Sequence, residues 1–128
     1  MPTNHQEDRP PLFVLRKPRD FWWTVKLPVP TDGDYVMARL DVLFAALPQA
    51  EVDRMRGVGL AEGEVPPSDA EIARRVLKGW RDLADEDGNP VPYSEDAREQ
   101  LLQTPAMRTA LVMTYLAAVS GLAARKNA

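Results

Sequence analysis

The chain has 128 residues, of which 45% are hydrophobic and 27% charged, values typical of a single globular domain. It has no cysteine, which excludes disulfides and thiolate chemistry, and its only histidine is His5, which argues against histidine-based catalysis. A net charge of −3 argues against general binding to nucleic acid or anionic membranes. The N-terminal sequence lacks the basic and apolar regions of a signal peptide, so we expect an intracellular protein.

The first 18 residues hold four of the 12 prolines and few apolar side chains. This composition predicts a flexible arm over residues 1–18, with an extended apolar stretch at 12–15 that docks on the domain. The remaining prolines separate long proline-free runs, so they mark the ends of elements instead of a low-complexity tract. We therefore predict one domain over residues 19–125.

Over residues 20–30 the large apolar side chains recur at every second position, which predicts a β-strand. Pro28 and Pro30 either end this strand or place it at a sheet edge. The apolar side of this strand carries Phe21, Trp23, Val25 and Leu27. A turn signal at Thr31-Asp32-Gly33-Asp34 precedes a second alternating run, which predicts a β-hairpin. A helix over residues 35–47 is the alternative, because Ala, Met, Leu and Arg favour helices.

The rest of the chain has the signals of helices. A short helix is predicted to begin at Pro48, followed by a loop over residues 57–67. A capping box at Ser68 and Glu71 predicts a helix over 69–84, with Trp80 on its apolar stripe. Two further helices are predicted, one after Ser94 and one from Thr104-Pro105 to about Ala124. The fold class that follows is α+β, an N-terminal β-hairpin packed against three to four helices.

The last predicted helix is apolar on almost all sides. Its uncharged run is shorter than the ~20 residues of a membrane span, so we expect it to be buried by its own domain or by another subunit. On the predicted first strand, Trp22 and Trp23 point to opposite faces. We expect Trp23 in the core, and Trp22 either covered by the arm or presented to a partner.

Acidic residues are concentrated between 82 and 99, but their spacing fits no known catalytic or metal-binding motif. Asp85, Asp87 and Asn89 begin like a calcium-binding EF-hand loop, yet Pro90 and Asp96 occupy the positions that require glycine and glutamate. The glycines of 57–63 lack the spacing of a dinucleotide fingerprint. We therefore expect no enzyme activity, cofactor or metal, with a metal-dependent enzyme at the acidic segment as the contrary hypothesis.

The C-terminal half resembles a known family. The run from Gly79-Trp80 through Gly88-Asn89-Pro90-Val91-Pro92-Tyr93-Ser94, followed by Leu101-Leu102-Gln103-Thr104-Pro105 and a long helix, is similar to tail assembly chaperones of long-tailed bacteriophages and prophages. The helix start at Leu47-Pro48-Gln49-Ala50-Glu51 also resembles this family, in the short form made beside a frameshifted longer product. The arm and the 57–67 loop depart from the pattern.

The resemblance implies a non-enzymatic protein of the host cytoplasm, absent from the mature virion. Such a protein keeps the tape measure protein soluble and helps recruit the major tail tube protein, without binding nucleic acid or membrane. A homo-oligomer is expected, because the chain has more apolar helix surface than one small core needs. Another phage or bacterial adaptor, such as an antitoxin-like binding module, is the alternative. The candidate partner-binding residues are Trp22, Met107, Leu111, Met113, Tyr115 and Leu116.

The residues Lys126-Asn127 are compatible with a slippery heptamer in the gene, and so with programmed frameshifting. The nucleotide sequence tests this hypothesis directly, because a gene without the heptamer and an overlapping −1 reading frame would exclude it.

Overall fold

The computed structural model describes residues 9–122 and residue 124. The first eight residues of the predicted arm, residue 123 and residues 125–128 lie outside the described residues. The elements in chain order are β1 (Phe21–Thr31), β2 (Asp34–Phe44), α1 (Gln49–Met55), α2 (Asp69–Val76), β3 (Leu77–Arg81), α3 (Glu95–Leu102) and α4 (Met107–Ser120). The three strands form one antiparallel sheet in the order β1-β2-β3, so the α+β prediction is confirmed.

The hairpin forms where the alternation predicts it, and the alternative helix over residues 35–47 is wrong. Phe21 at the start of β1 pairs with Phe44 at the end of β2, and the register continues without a break to Thr31 and Asp34. Gly33 lies in the turn with φ of 84°, a left-handed conformation that glycine adopts without strain. Pro28 and Pro30 lie within β1, which is an edge strand and tolerates missing N–H groups.

The predicted helix over residues 69–84 is correct only in its first half. Ser68 caps α2, its Oγ accepting a hydrogen bond from the amide of Glu71 at 3.2 Å. The helix ends at Val76 and the chain enters β3, in which Trp80 pairs with Val42 of β2. Because a helix stripe and a short buried strand both place Trp80 in the core, its apolar character alone could not distinguish them.

The other helix starts follow their capping signals with small shifts. Ser94 Oγ accepts a hydrogen bond from the amide of Ala97 at 3.0 Å, as its position predicts. Pro48 is the residue before α1 instead of its first residue. Helix α4 begins after Ala106 and ends at Ser120, several residues before the predicted end, with Gly121 at a φ of 71° as its C-cap.

The core lies between one face of the sheet and helices α2 and α4. Tyr115 of α4 is fully buried, and its ring packs against Phe21 and Phe44 with centroid distances of 6.4 and 5.2 Å. Its hydroxyl donates a hydrogen bond to the carbonyl of Ala45 at 2.9 Å, and burial raises the pKa of Tyr115. In the described part of the chain, no helix combines the length and the apolar character needed to cross a membrane.

Candidate functional site

Helix α4 has a buried side and an accessible side, although its sequence is apolar on both. Of the predicted partner-binding residues on this helix, Met107, Leu111 and Tyr115 are buried in the domain core. Leu116 is half-buried and packs against that core, while Met113 is 64% exposed. The domain thus covers one side of the apolar helix and leaves the Met113 side to contact something else.

An open groove lies between the accessible side of α4 and the edge strand β1. We call it the α4 groove, and its volume is about 430 Å³. Its lining consists of Trp23, Thr24, Lys26, Met113, Thr114, Ala117 and Leu122. Because no strand lies beyond β1 in the described sheet, the groove is open along that edge.

The lining of the α4 groove is mostly apolar, with one ionisable group, Lys26. Trp23 and Leu122 are 40% and 55% exposed, so large apolar surfaces face solvent on both sides of the groove. Methionine adapts its shape to different apolar partners, and tryptophan contributes strongly to binding interfaces. Such a lining can receive the apolar face of a peptide helix, with Lys26 placed to favour an acidic neighbour.

The two adjacent tryptophans occupy opposite faces of the sheet, as the strand prediction requires, but Trp23 is not in the core as expected. Because β1 is an edge strand, α4 covers the Trp23 ring from one side only. Trp22 lies on the face away from the helices, with the guanidinium carbon of Arg81 4.4 Å from its ring centre. Trp22 therefore does not contribute to the α4 groove, whereas Trp23, which the sequence did not single out as a partner-binding residue, does.

A second apolar surface lies at the far end of the hairpin. We call it the hairpin tip, and it consists of Val29, Tyr35, Val36 and Met37. The last three are 57–65% exposed, because the helices cover only the half of the hairpin nearest β3. The alternating pattern predicted this half of β2 to be an ordinary half-buried strand, and no local signal indicated that it projects beyond the core.

The apolar stretch of the arm is exposed, and its predicted docking is wrong for the described residues 9–18. The side chains of Leu12, Phe13 and Leu15 are each about nine-tenths exposed. Residues 9–18 therefore do not cover Trp22, which is 43% exposed.

The acidic segment after β3 is organised by its own backbone. Asp85 Oδ1 accepts hydrogen bonds from the amides of Asp87 and Asn89, both at 2.9 Å, which closes a tight turn. Across residues 9–122 and 124, no group of three or more acidic, histidine or cysteine side chains is placed to hold a metal ion. The Asp85 carboxylate is thus engaged in holding the turn of its own chain.

One ion pair links the 57–67 loop to α1, and another links α1 to α2. Arg54 contacts Glu64 at 2.8 Å, and the hydrogen bond from Arg54 lowers the pKa of Glu64. Arg75 of α2 contacts Glu51 of α1 at 3.0 Å. These charges satisfy one another across the surface formed by α1, α2 and the loop, in contrast to the apolar α4 groove.

Comparison with known proteins identifies one similarity. Residues 68–127 match a family described as YdaY prophage protein. The match covers slightly less than half of the chain, from the cap of α2 through α4, and supports a prophage-derived protein. Neither a curated protein nor a solved structure matches the chain.

Proposed function

We propose that this prophage-derived protein is a non-enzymatic binding protein that takes an apolar helical segment of a partner into the α4 groove. The observation that carries the proposal is the exposed side of α4, where Met113 and Leu122 face solvent next to Trp23. A helix this apolar is unfavourable in water unless a partner covers its second side. The region that matches the prophage family includes the helix that forms one wall of this groove.

The partner that we propose is the tape measure protein of a phage tail, for which the chain acts as a tail assembly chaperone. A tape measure protein is long and helical, so it offers many apolar helix faces to a small protein that binds in several copies. Covering these faces keeps the partner soluble until the major tail tube protein assembles around it. The support for this finer role is the resemblance of residues 79–105, together with the apolar groove and the prophage match.

The test is coexpression with fragments of the tape measure protein encoded near this gene. We expect the protein to keep such a fragment in the soluble fraction and to copurify with it. Met113→Lys places a charge in the groove at an exposed position and should abolish both effects without unfolding the domain. Val65→Lys is the matched control, because Val65 is 81% exposed in the 57–67 loop and lies outside the groove.

Two results would contradict the proposal. Fragments that remain insoluble with the wild-type protein exclude the chaperone role, and a complex that tolerates Met113→Lys excludes the α4 groove as the binding site. The alternative, a phage or bacterial adaptor with another partner, predicts a complex with a different neighbouring gene product that is still sensitive to Met113→Lys.

A further inference from the structure

Strand β2 has an unpaired edge over most of its length. Strand β3 pairs only with residues 41–44 of β2, and within the described residues no strand lies beside positions 34–40 on that side. Strand β3 ends at Arg81 because Asp82 has φ of 60°, which interrupts the extended conformation. The backbone of β2 is therefore open to another strand in line with β3.

The two edges of this sheet differ in their protection. The outer edge of β1 contains Pro28 and Pro30, which lack N–H donors and hinder strand addition. The open segment of β2 has no proline, and between Asp34 and Leu40 its one charged residue is Arg39. Tyr35, Val36 and Met37 expose apolar surface on both faces of this segment. Strand addition is thus hindered at β1 and favoured at β2.

We propose that residues 34–38 of β2 pair with the same segment of a second copy of the chain. The two strands run antiparallel around a twofold axis at Val36, which gives a continuous sheet in the order β1-β2 of one copy, then β2-β1 of the other. A twofold axis at Met37 would place Gly33 of the second copy opposite Asp41, where Arg81 already pairs. Val36 is therefore the centre that gives the longest pairing without displacing β3.

This register is complementary in its side chains. It places Tyr35 opposite Met37 of the second copy, an aromatic–thioether pair, and Val36 opposite its own counterpart. It also places Asp34 opposite Ala38 and Arg39 opposite Gly33 of the second copy, so no like charges oppose each other across the new pairing. The twofold axis repeats each contact, so the segment is complementary to itself.

The pairing surface is separate from the α4 groove, because none of residues 34–38 lines that groove. A dimer would carry two grooves, which increases the affinity for a long partner with repeated helical sites. The dimer itself does not depend on the proposed partner and is tested with the isolated protein.

Cysteine cross-linking tests the register directly, since the wild-type chain has no cysteine. Val36→Cys places one thiol on the twofold axis, and mild oxidation should convert most of the protein to a covalent dimer. Val29→Cys is the matched control, because Val29 pairs with Val36 on the neighbouring strand, is 37% exposed and lies one strand away from the axis. Equal cross-linking of the two variants, or none at Val36→Cys, would overturn the proposal.

Sedimentation velocity over a range of concentrations tests the dimer without cross-linking. We expect the 14.3 kDa chain to approach twice this mass as concentration rises. Val36→Lys should hold it at the monomer mass, whereas Val29→Lys should weaken the dimer much less. A wild-type monomer at every concentration, or a dimer lost on Phe13→Asp in the arm but kept in Val36→Lys, would show that the β2 edge is not the interface.

Discussion

The two halves of the hairpin differ in burial although their sequences alternate in the same way. At the base, Val25, Val42 and Phe44 are fully buried beneath the helices. At the hairpin tip, Val36 lies on the same face of β2 as Val42 yet is 57% exposed, because no helix reaches that far. Alternation thus determines which face a side chain occupies, and the length of the helical layer determines whether that face is covered. The base stabilises the fold, and the hairpin tip is available for binding.

The largest expected difference between these halves is in unfolding free energy. Phe44→Ala at the base should reduce it by about 3–5 kcal/mol, because a buried ring is lost and a cavity remains. Met37→Ala at the tip should change it by less than about 0.5 kcal/mol, since Met37 is already exposed. Urea unfolding followed by circular dichroism measures both values. Similar losses for the two variants would mean that the tip belongs to the stable core.

A substitution at Trp80 tests strand β3, which the sequence pattern predicted as the second half of a helix. Its indole Nε1 donates a hydrogen bond to the carbonyl of Val91 at 2.7 Å. Trp80→Phe should cost about 2–3 kcal/mol, because it leaves this carbonyl without its donor and removes buried ring surface. Trp22→Phe is the control on the opposite face and should cost less than about 1 kcal/mol, since its ring is partly exposed. Equal costs in urea unfolding would contradict a structural role specific to Trp80.

Ionisation of Tyr115 should make the unfolding free energy depend on pH in the alkaline range. Tyr115→Phe should reduce the unfolding free energy by about 1–2 kcal/mol at neutral pH, because the carbonyl of Ala45 loses its donor. Burial raises the pKa of Tyr115 in the folded state, so the unfolded chain ionises first as pH rises above ~10. Wild-type stability should therefore fall there more steeply than that of Tyr115→Phe. Parallel pH profiles of the two proteins would show that the hydroxyl is not protected by folding.

The smallest expected effect is at the turn of the tip. Gly33→Ala should cost about 1 kcal/mol, because alanine is strained at a φ of 84°. Hydrogen exchange should show the loss confined to the backbone amides of Val29 and residues 31–37, with those of the base unchanged. Uniform faster exchange through the sheet would mean that tip and base unfold together.

The sequence predicted those parts of the fold whose local signals agree with their tertiary context. The Asp32-Gly33 turn defined the hairpin, and Ser68 and Ser94 defined two helix starts. Strand β3 was missed because the positions of Leu77 and Trp80 fit the apolar face of a helix as well as a short buried strand. Only the pairing with β2, which is distant in sequence, selects the strand. The α4 groove was found in part, through Met113. Trp23 was misplaced because its exposure depends on β1 being an edge strand, which no local pattern reveals.

Helix α2 passes into strand β3 without an intervening loop residue, Val76 ending one element and Leu77 beginning the next. The amide of Ala45, just after β2, donates to the carbonyl of Val76 at this junction, at 2.8 Å. A junction with no spare residues leaves no hinge between the helical layer and the sheet. Helix α2 is consequently held at a fixed angle to the sheet. Because α4 packs against α2, the helical wall of the α4 groove takes its orientation from the sheet.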